Sequence, residues 1–259
     1  AGRATQVERL PTYYEHLRER FVRELEHLGL TPSDAQDLVA VVDTGNAVMG
    51  PIAKVAIESL GITYVGVDDE VITGTEGREP PHPADPNQQS YYREHLTRAV
   101  QDVAREHPGK IVVGIALDGD GDRVGFVVNG GAFYLTPLQQ AYLFYAEAPD
   151  GPVVLDIRSG QEVVELVAGR QRGWHPPGWP IVRKALREAG AQVGVEGSQH
   201  TFMRAFGDPN EDPIDDGLWA GLYMALVELK RHRAGSSIQE LLEQIRYYPA
   251  LPEELRPEV

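Results

Sequence analysis

The chain has 259 residues, a formal net charge of −15 at pH 7 and no cysteine. This length suits one large domain or two domains of ordinary size. Hydrophobic residues make up 42%, which is enough for a packed core and excludes a disordered chain. The negative charge argues against a nucleic-acid-binding surface, which needs a basic patch. The lack of cysteine excludes disulfides and thiolate metal sites and fits a reducing compartment, so we expect a cytoplasmic protein.

Neither a signal peptide nor a membrane helix is predicted. Charged residues such as Arg3, Glu8 and Arg18 interrupt the first twenty positions. The longest apolar run, at residues 111–117, is far shorter than the roughly 20 residues that span a bilayer. We therefore expect no association with membranes.

The first half of the sequence predicts alternating helices and strands. Leu17, Phe21, Leu25 and Leu28 recur at helical spacing, and Gly29 ends their helix. A strand, a glycine-bearing loop, a helix and a second strand follow, which is the start of a parallel sheet. The segments expected after the first helix are strands at 38–42, 62–67, 111–117 and 124–128 and helices at 50–60, 91–106 and 137–147.

Residues 149–152, Pro-Asp-Gly-Pro, form the best linker candidate, and the pattern of strand, loop and helix restarts after them. We therefore expect an α/β fold of two tandem three-layer domains with mixed, mostly parallel sheets, divided into residues 1–149 and 150–259. The segments expected in the second domain are strands at 153–157, 191–195 and 200–206 and helices at 160–168, 180–189, 217–232 and 237–245.

An acidic loop follows the predicted strand at 111–117. Asp118, Asp120 and Asp122 alternate with glycine there, and glycine permits tight backbone turns. Hard oxygen donors that converge in this way suit Mg²⁺. The carboxyl end of a strand in an α/β sheet is also the usual place for a ligand. The loop therefore predicts a magnesium site.

Spacing excludes two other interpretations of this loop. A calcium-binding EF-hand needs glycine at its sixth position and glutamate at its twelfth, where this chain has Arg123 and Asn129. A dinucleotide-binding loop needs a third glycine, where this chain has Val124. A solvated acidic turn remains as the alternative, but three crowded carboxylates repel one another and such a turn gains nothing from them.

The sequence Asp-Gly-Asp-Gly-Asp-Arg after an apolar strand resembles the metal-binding loop of the α-D-phosphohexomutases, the family of phosphomannomutases and phosphoglucomutases. In that family three aspartates and a phosphoserine hold Mg²⁺. The resemblance implies that Asp118, Asp120 and Asp122 are metal ligands. It also implies that Arg123 acts in catalysis beside the transferring phosphoryl group, whose oxygens suit a guanidinium fork.

Residues 194–200 resemble the sugar-recognition loop of the same family. The resemblance implies that Glu196 and Ser198 bind sugar hydroxyls and that His200 moves a proton or touches phosphate. Gln199 replaces the usual glycine. The alternative interpretation of this segment is a polar turn between two strands.

Three further segments resemble parts of the family's second and third domains. Arg158 follows the first strand of the third domain, where the family has a basic residue that contacts substrate phosphate. Gly178 matches the glycine of another substrate loop, although Pro176 and Pro177 depart from the family pattern. The Asp-Asp-Gly of residues 215–217 has two interpretations, a substrate contact or the cap of the helix that follows.

The resemblance covers the family's second and third domains only. The family's first domain carries a serine that is phosphorylated, and its last carries a loop that grips phosphate; neither motif occurs in these 259 residues. The leading hypothesis is therefore a two-domain part of a mutase that binds a hexose phosphate or bisphosphate, is inactive alone and needs the two outer domains. A non-catalytic paralogue that binds a sugar phosphate or a partner is the alternative, and a Mg²⁺ phosphatase lacks a recognisable nucleophile.

Overall fold

The protein is described as a computed structural model over residues 9–74, 77–128, 130–148, 151–204 and 211–246. The linker candidates Pro149 and Asp150 lie outside these residues, so the domain boundary at 149/150 stays a prediction. No helix among the described residues is both long enough and apolar enough to cross a membrane.

Helices and strands alternate along most of the chain. The helices are α1 (Leu10–His27), α2 (Pro32–Ala35), α3 (Met49–Ser59), α4 (Gln89–Glu106), α5 (Pro137–Glu147), α6 (Gln161–Leu166), α7 (Trp179–Ala189), α8 (Gly217–Arg233) and α9 (Ile238–Leu242). The strands are β1 (Leu38–Asp43), β2 (Thr63–Val67), β3 (Ile111–Leu117), β4 (Val124–Val128), β5 (Phe133–Tyr134), β6 (Val153–Asp156), β7 (Gln171–His175), β8 (Val193–Val195), β9 (Thr201–Met203) and β10 (Ile214–Asp215).

The first sheet has five strands in the order β2-β1-β3-β4-β5. Strands β1, β2 and β3 are parallel, and β4 and β5 continue the sheet in antiparallel pairing. Strands β1 and β3 are buried along their whole length, as a parallel sheet covered on both faces requires. Asp43 and Asp118 consequently emerge at the same edge of the sheet, at the carboxyl ends of β1 and β3.

Helices cover both faces of this sheet. On one face, Val39 and Val41 of β1 pack with Leu96 and Val100 of α4. On the other face, Leu38, Ala40 and Val42 join a core that includes residues of α1, α3 and α8. This arrangement has the three layers that the sequence predicts.

The second half contains a parallel pair, β6 with β7, and an antiparallel sheet in the order β10-β9-β8. Val182 and Leu186 of α7 pack on one side of these strands, against Val154 and Phe202. Residues of α5, α6 and α9 lie in the large core. The α/β prediction with mixed sheets is confirmed. The two longest ladders are parallel, whereas four of the seven described strand pairs are antiparallel.

Helix α8 connects the two halves of the molecule. Its residues Gly217 to Leu229 are all buried, and its side chains share a core with β3 and β4 of the first sheet. Its last turn carries four basic residues, which favourably face the negative end of the helix dipole. The helix that follows the predicted sugar loop in sequence therefore packs against the sheet that bears the predicted metal loop.

Strand β7 was not anticipated from the sequence. Its residues Gln-Arg-Gly-Trp-His lack the alternation of apolar side chains that signals a strand, and its pairing with β6 depends on tertiary context. The strand expected at 200–206 is shorter, with β9 ending at Met203, and residues 205–210 lie outside the described parts. Most other predicted elements differ from the observed ones only at their ends.

Candidate functional site

The acidic loop is organised by its first aspartate. Asp118 is almost completely buried, and its Oδ1 accepts hydrogen bonds from the backbone N–H of Gly121 at 3.0 Å and of Arg123 at 3.1 Å. Gly121 has φ +80, whereas Gly119 does not adopt a positive φ. Only one of the two loop glycines is therefore required by backbone conformation.

Asp118, Asp120 and Asp122 each place a carboxylate oxygen within 4.8 Å of the others. Burial, together with the nearby carboxylates of Asp118 and Asp215, raises the pKa of Asp122 to about 6, although His200 opposes the shift. The group therefore carries a surplus of closely spaced negative charge, which a divalent cation would relieve. Three carboxylate donors of this kind could hold Mg²⁺.

Arg123 is held between two carboxylates. Its Nε lies 2.7 Å from Asp118 Oδ2, and its Nη1 lies 2.9 Å from Asp85 Oδ1. The side chain is 29% exposed, so part of the guanidinium faces solvent at the edge of the acidic loop. This position is compatible with the predicted contact to a phosphoryl group.

The predicted sugar loop lies between β8 and β9 and is centred on Glu196. One carboxylate oxygen of Glu196 accepts from the N–H of Gly178 at 2.8 Å, and the other accepts from Ser198 Oγ at 3.1 Å. Three residues predicted to bind substrate are thus linked, because Gly178 and Ser198 both contact Glu196. Gly178 has φ +130 and precedes α7, a conformation that glycine tolerates best.

Backbone contacts join the acidic loop to the sugar loop. Arg123 and His200 form an antiparallel bridge, and Val124 N–H donates to Gln199 O at 3.3 Å. Gly217 N–H donates to Gly121 O at 2.8 Å, and a Cβ at Gly217 would lie only 2.8 Å from the Gly121 and Arg123 carbonyl oxygens. Helix α8 therefore begins directly against the acidic loop.

His200 lies close to two carboxylates, one of which, that of Asp122, belongs to the acidic loop. Its Nδ1 lies 2.8 Å from Asp215 Oδ2 and 3.7 Å from Asp122 Oδ1. Burial alone would lower the pKa of His200, but the hydrogen bond to Asp215 and the charges of Asp122 and Glu196 raise it above its ordinary value. His200 is therefore placed to carry a proton between the two loops, and its catalytic role stays a prediction.

Arg158 lies beside the sugar loop and is held by Asp156. Its Nε and Nη2 contact the Asp156 carboxylate, whose Oδ2 also accepts from Gly197 N–H at 3.1 Å. Burial would raise the pKa of Asp156, but its hydrogen bonds from Arg158 and Gly197 hold it below the usual value. Asp156 thus holds a half-exposed guanidinium beside the sugar loop.

The Asp-Asp-Gly segment has two separate tasks. Asp216 caps α8, with its Oδ1 2.9 Å from Trp219 N–H, whereas Asp215 contacts His200.

Gln199, which stands where glycine is usual, is fully buried and has φ +71. The loop therefore keeps a left-handed backbone turn despite the side chain, at a conformational cost of roughly 1 kcal/mol.

An open cavity of about 320 Å³ borders the acidic loop. Its lining includes the acidic side chains of Asp120, Asp122 and Asp215 and the apolar side chains of Leu10 and Met49. This volume is at the lower end of the range for small-molecule pockets. Because the cavity is open, the carboxylates that line it are accessible to a ligand.

A second group of ionisable side chains lies at the same edge of the sheet. His82 Nε2 lies 3.2 Å from Asp43 Oδ1 and 3.7 Å from Asp68 Oδ2, and the ring stacks on Tyr91 at 4.0 Å. Burial alone would lower the pKa of His82, but its contacts with Asp43 and Asp68 raise it above the ordinary value. The sequence offered no role for His82, and the structure makes it the counter-charge of two carboxylates.

We expect Asp43→Asn to lower the pKa of His82, because the opposing effect of burial remains when the carboxylate is gone. In the wild-type chain the raised pKa means that protonated His82 stabilises the fold below its unfolded-state pKa. That contribution is lost as pH rises through the folded-state pKa. NMR titration of the His82 ring in the wild-type and Asp43→Asn chains measures the shift; an unchanged His82 titration would contradict the assignment.

Comparison with known proteins places this arrangement in a known class. The profile "Phosphoglucomutase/phosphomannomutase, alpha/beta/alpha domain II" matches residues 12–131, and the domain III profile matches residues 137–248. The two matched profiles describe adjacent α/β domains of one family. The chain belongs to the phosphoglucomutase/phosphomannomutase family.

Individual relatives agree with this assignment. The chain is 30% identical over 229 residues to the phosphomannomutase/phosphoglucomutase of Pseudomonas aeruginosa. The aligned region covers 85% of this chain and 43% of that protein. It is 26% identical to a phosphoglucosamine mutase of Salmonella, and the aligned region covers 96% of this chain and 51% of that protein. A family protein from Burkholderia thailandensis shares the fold, with a TM-score of 0.69, 24% identity and coverage of 97% and 50%. The chain spans about half the length of the curated relatives it matches.

Proposed function

We propose that the chain forms the metal-binding and sugar-binding core of a phosphohexomutase, which transfers a phosphoryl group within a hexose phosphate. The joined acidic and sugar loops are the observation that carries this proposal, because they bring carboxylates, two arginines and a histidine to one edge of the molecule. Relatives named phosphomannomutase, phosphoglucomutase and phosphoglucosamine mutase support the reaction class.

Asp118, Asp120 and Asp122 would hold Mg²⁺, which supplies positive charge to a phosphoryl group during transfer. Arg123 binds phosphoryl oxygens from the same loop, and Arg158 binds the phosphate of the substrate from the neighbouring one. Glu196 and Ser198 orient the sugar by accepting and donating hydrogen bonds at its hydroxyls. His200, which is paired with Asp215, holds or moves a proton at the reacting hydroxyl.

The sequence of this chain has neither the serine that is phosphorylated in the family nor the loop that grips the second phosphate. We therefore expect the 259-residue chain to bind a hexose phosphate with Mg²⁺ but not to isomerise it, because positioning supplies most of the catalysis in phosphoryl transfer. We further propose that it works with two outer domains, in the cytoplasm.

Calorimetry with glucose 1-phosphate and mannose 1-phosphate tests binding, in Mg²⁺ and in EDTA. A coupled assay for the 6-phosphate tests turnover. Binding that needs Mg²⁺ without turnover is the expected result. Binding of neither sugar would refute the core assignment, and turnover that Asp120→Ala abolishes would refute inactivity. If the native protein is no larger than this chain, the same result favours the paralogue that binds sugar phosphates without catalysis.

A further inference from the structure

Residues 82–87, which we name the bridging segment, lie against both loops of the site. Asp85 contacts Arg123 of the acidic loop, and Asn87 Nδ2 donates to Ser198 O of the sugar loop at 3.3 Å. The two residues also contact each other, because Asn87 N and Nδ2 each lie 3.1 Å from Asp85 Oδ1. A continuous chain of hydrogen bonds thus runs from Arg123 through Asp85 and Asn87 to Ser198.

The Oδ1 atom of Asp85 is the centre of this chain. It accepts from Arg123 Nη1 and from two nitrogens of Asn87. Asp118 holds the other side of the guanidinium through Nε. An arginine side chain free at one end samples many rotamers, whereas two carboxylates on different edges leave it one orientation.

The bridging segment is itself fixed at both ends. His82 is buried between Asp43 and Asp68 at its start. Near its end, Tyr134 Oη donates to Pro86 O at 2.7 Å. Both anchors belong to the first sheet or to loops at its edge, so Asp85 is presented to Arg123 from a rigid base.

We propose that Asp85 is a positioning residue that orients the Arg123 guanidinium toward the phosphoryl group. This inference rests on the proposed function of Arg123 and deepens it. Asp85 contacts no substrate in this scheme and acts only through its neighbours.

Loss of a positioning residue should weaken the binding of a phosphate, whereas loss of a residue that acts only through its negative charge should strengthen it. The negative charge of Asp85 beside an anion site repels phosphate, so its removal alone strengthens the binding of an anion. Positioning and repulsion can be separated with two variants. Asp85→Ala removes both the charge and the hydrogen-bond acceptor, whereas Asp85→Asn removes the charge and keeps an acceptor oxygen for Arg123.

The first experiment needs no ligand. In ¹⁵N-resolved NMR of the arginine side chains, we expect the Arg123 guanidinium of the wild-type chain to exchange its Nη protons slowly. Asp85→Ala should make this exchange fast and Asp85→Asn should largely preserve it. Asp102→Ala, which removes an exposed carboxylate paired with Arg105 on α4, is the matched control and should change nothing at Arg123.

The second experiment measures the affinity of the Mg²⁺-loaded chain for glucose 1,6-bisphosphate. We expect Asp85→Ala to weaken binding by about fivefold, since an arginine must be ordered again on binding, and Asp85→Asn to stay within about twofold of wild type. Equal or tighter binding by Asp85→Ala would overturn the proposal. If the wild-type chain binds no bisphosphate, the proposed function fails, and the NMR result still decides whether Asp85 orients Arg123.

Discussion

Asp120→Ala is expected to lower the affinity of the chain for Mg²⁺ by at least about a hundredfold. Loss of a group that merely supports a metal ligand typically costs 10- to 100-fold, and Asp120 is predicted to be a ligand itself. Its side chain is exposed at the acidic loop, so the substitution should leave the fold intact. Asp118 is a poorer choice, because its buried carboxylate also holds the loop backbone and Arg123.

Calorimetric titration with Mg²⁺, repeated with Mn²⁺ by electron paramagnetic resonance, measures this effect. Circular dichroism should show the same secondary structure and the same unfolding midpoint in metal-free buffer. Glu94→Ala, which removes an exposed acid on α4, controls for the change in net charge and should bind Mg²⁺ as the wild type does. A loss smaller than about threefold in Asp120→Ala would show that this carboxylate is not a ligand.

Arg20→Ala is expected to destabilise the fold by about 3 to 5 kcal/mol, the range for breaking a buried charge pair by removing one partner. Arg20 is fully buried on α1, and its guanidinium lies 4.7 Å from the ring centroid of Trp219 on α8. Its Nη2 donates to Met203 O at 3.2 Å, and its Nε lies 3.5 Å from Glu211. The substitution removes these contacts and takes a positive charge away from Glu211.

Urea unfolding followed by tryptophan fluorescence measures the change in free energy. Arg18→Ala, two residues earlier on the exposed face of α1, should change it by less than about 0.5 kcal/mol. Arg20→Met should fall between the two, because a straight apolar chain can still cover Trp219 but makes no ion pair with Glu211. A loss below about 1 kcal/mol for Arg20→Ala would show that the buried pair contributes little.

The acidic loop and the sugar loop differ in how much of each could be predicted from neighbouring residues in the sequence. The acidic loop could be located from the sequence, because three aspartates, two glycines and an arginine are consecutive and follow a run of apolar residues. The structure adds that, of the two loop glycines, only Gly121 has a positive φ, the backbone conformation that favours glycine. The sugar loop was predicted through its resemblance to a family, and Gln199, where the sequence departs from that family, adopts a positive φ.

The partners of the predicted residues could not be derived in the same way. Asp85, Asp156 and Asp215 contact Arg123, Arg158 and His200, and the sequence analysis paired none of these acids with its basic partner. Arg20 did leave a signal, because it lies one helical turn from Leu17 and Glu24 on the apolar face of α1. A charged residue in such a stripe indicates a buried ion pair.

The sequence by itself determined the elements and the chemistry of single segments, since periodicity, glycine positions and consecutive carboxylates are local properties of the chain. Tertiary structure alone decided that α8 packs on the first sheet, that β7 forms a strand and that residues 82–87 lie between the two loops. The physical reason is that tertiary contacts join residues up to 203 positions apart, as Tyr13 and Asp216 are. Their partners are chosen by sheet register and core packing rather than by neighbouring residues.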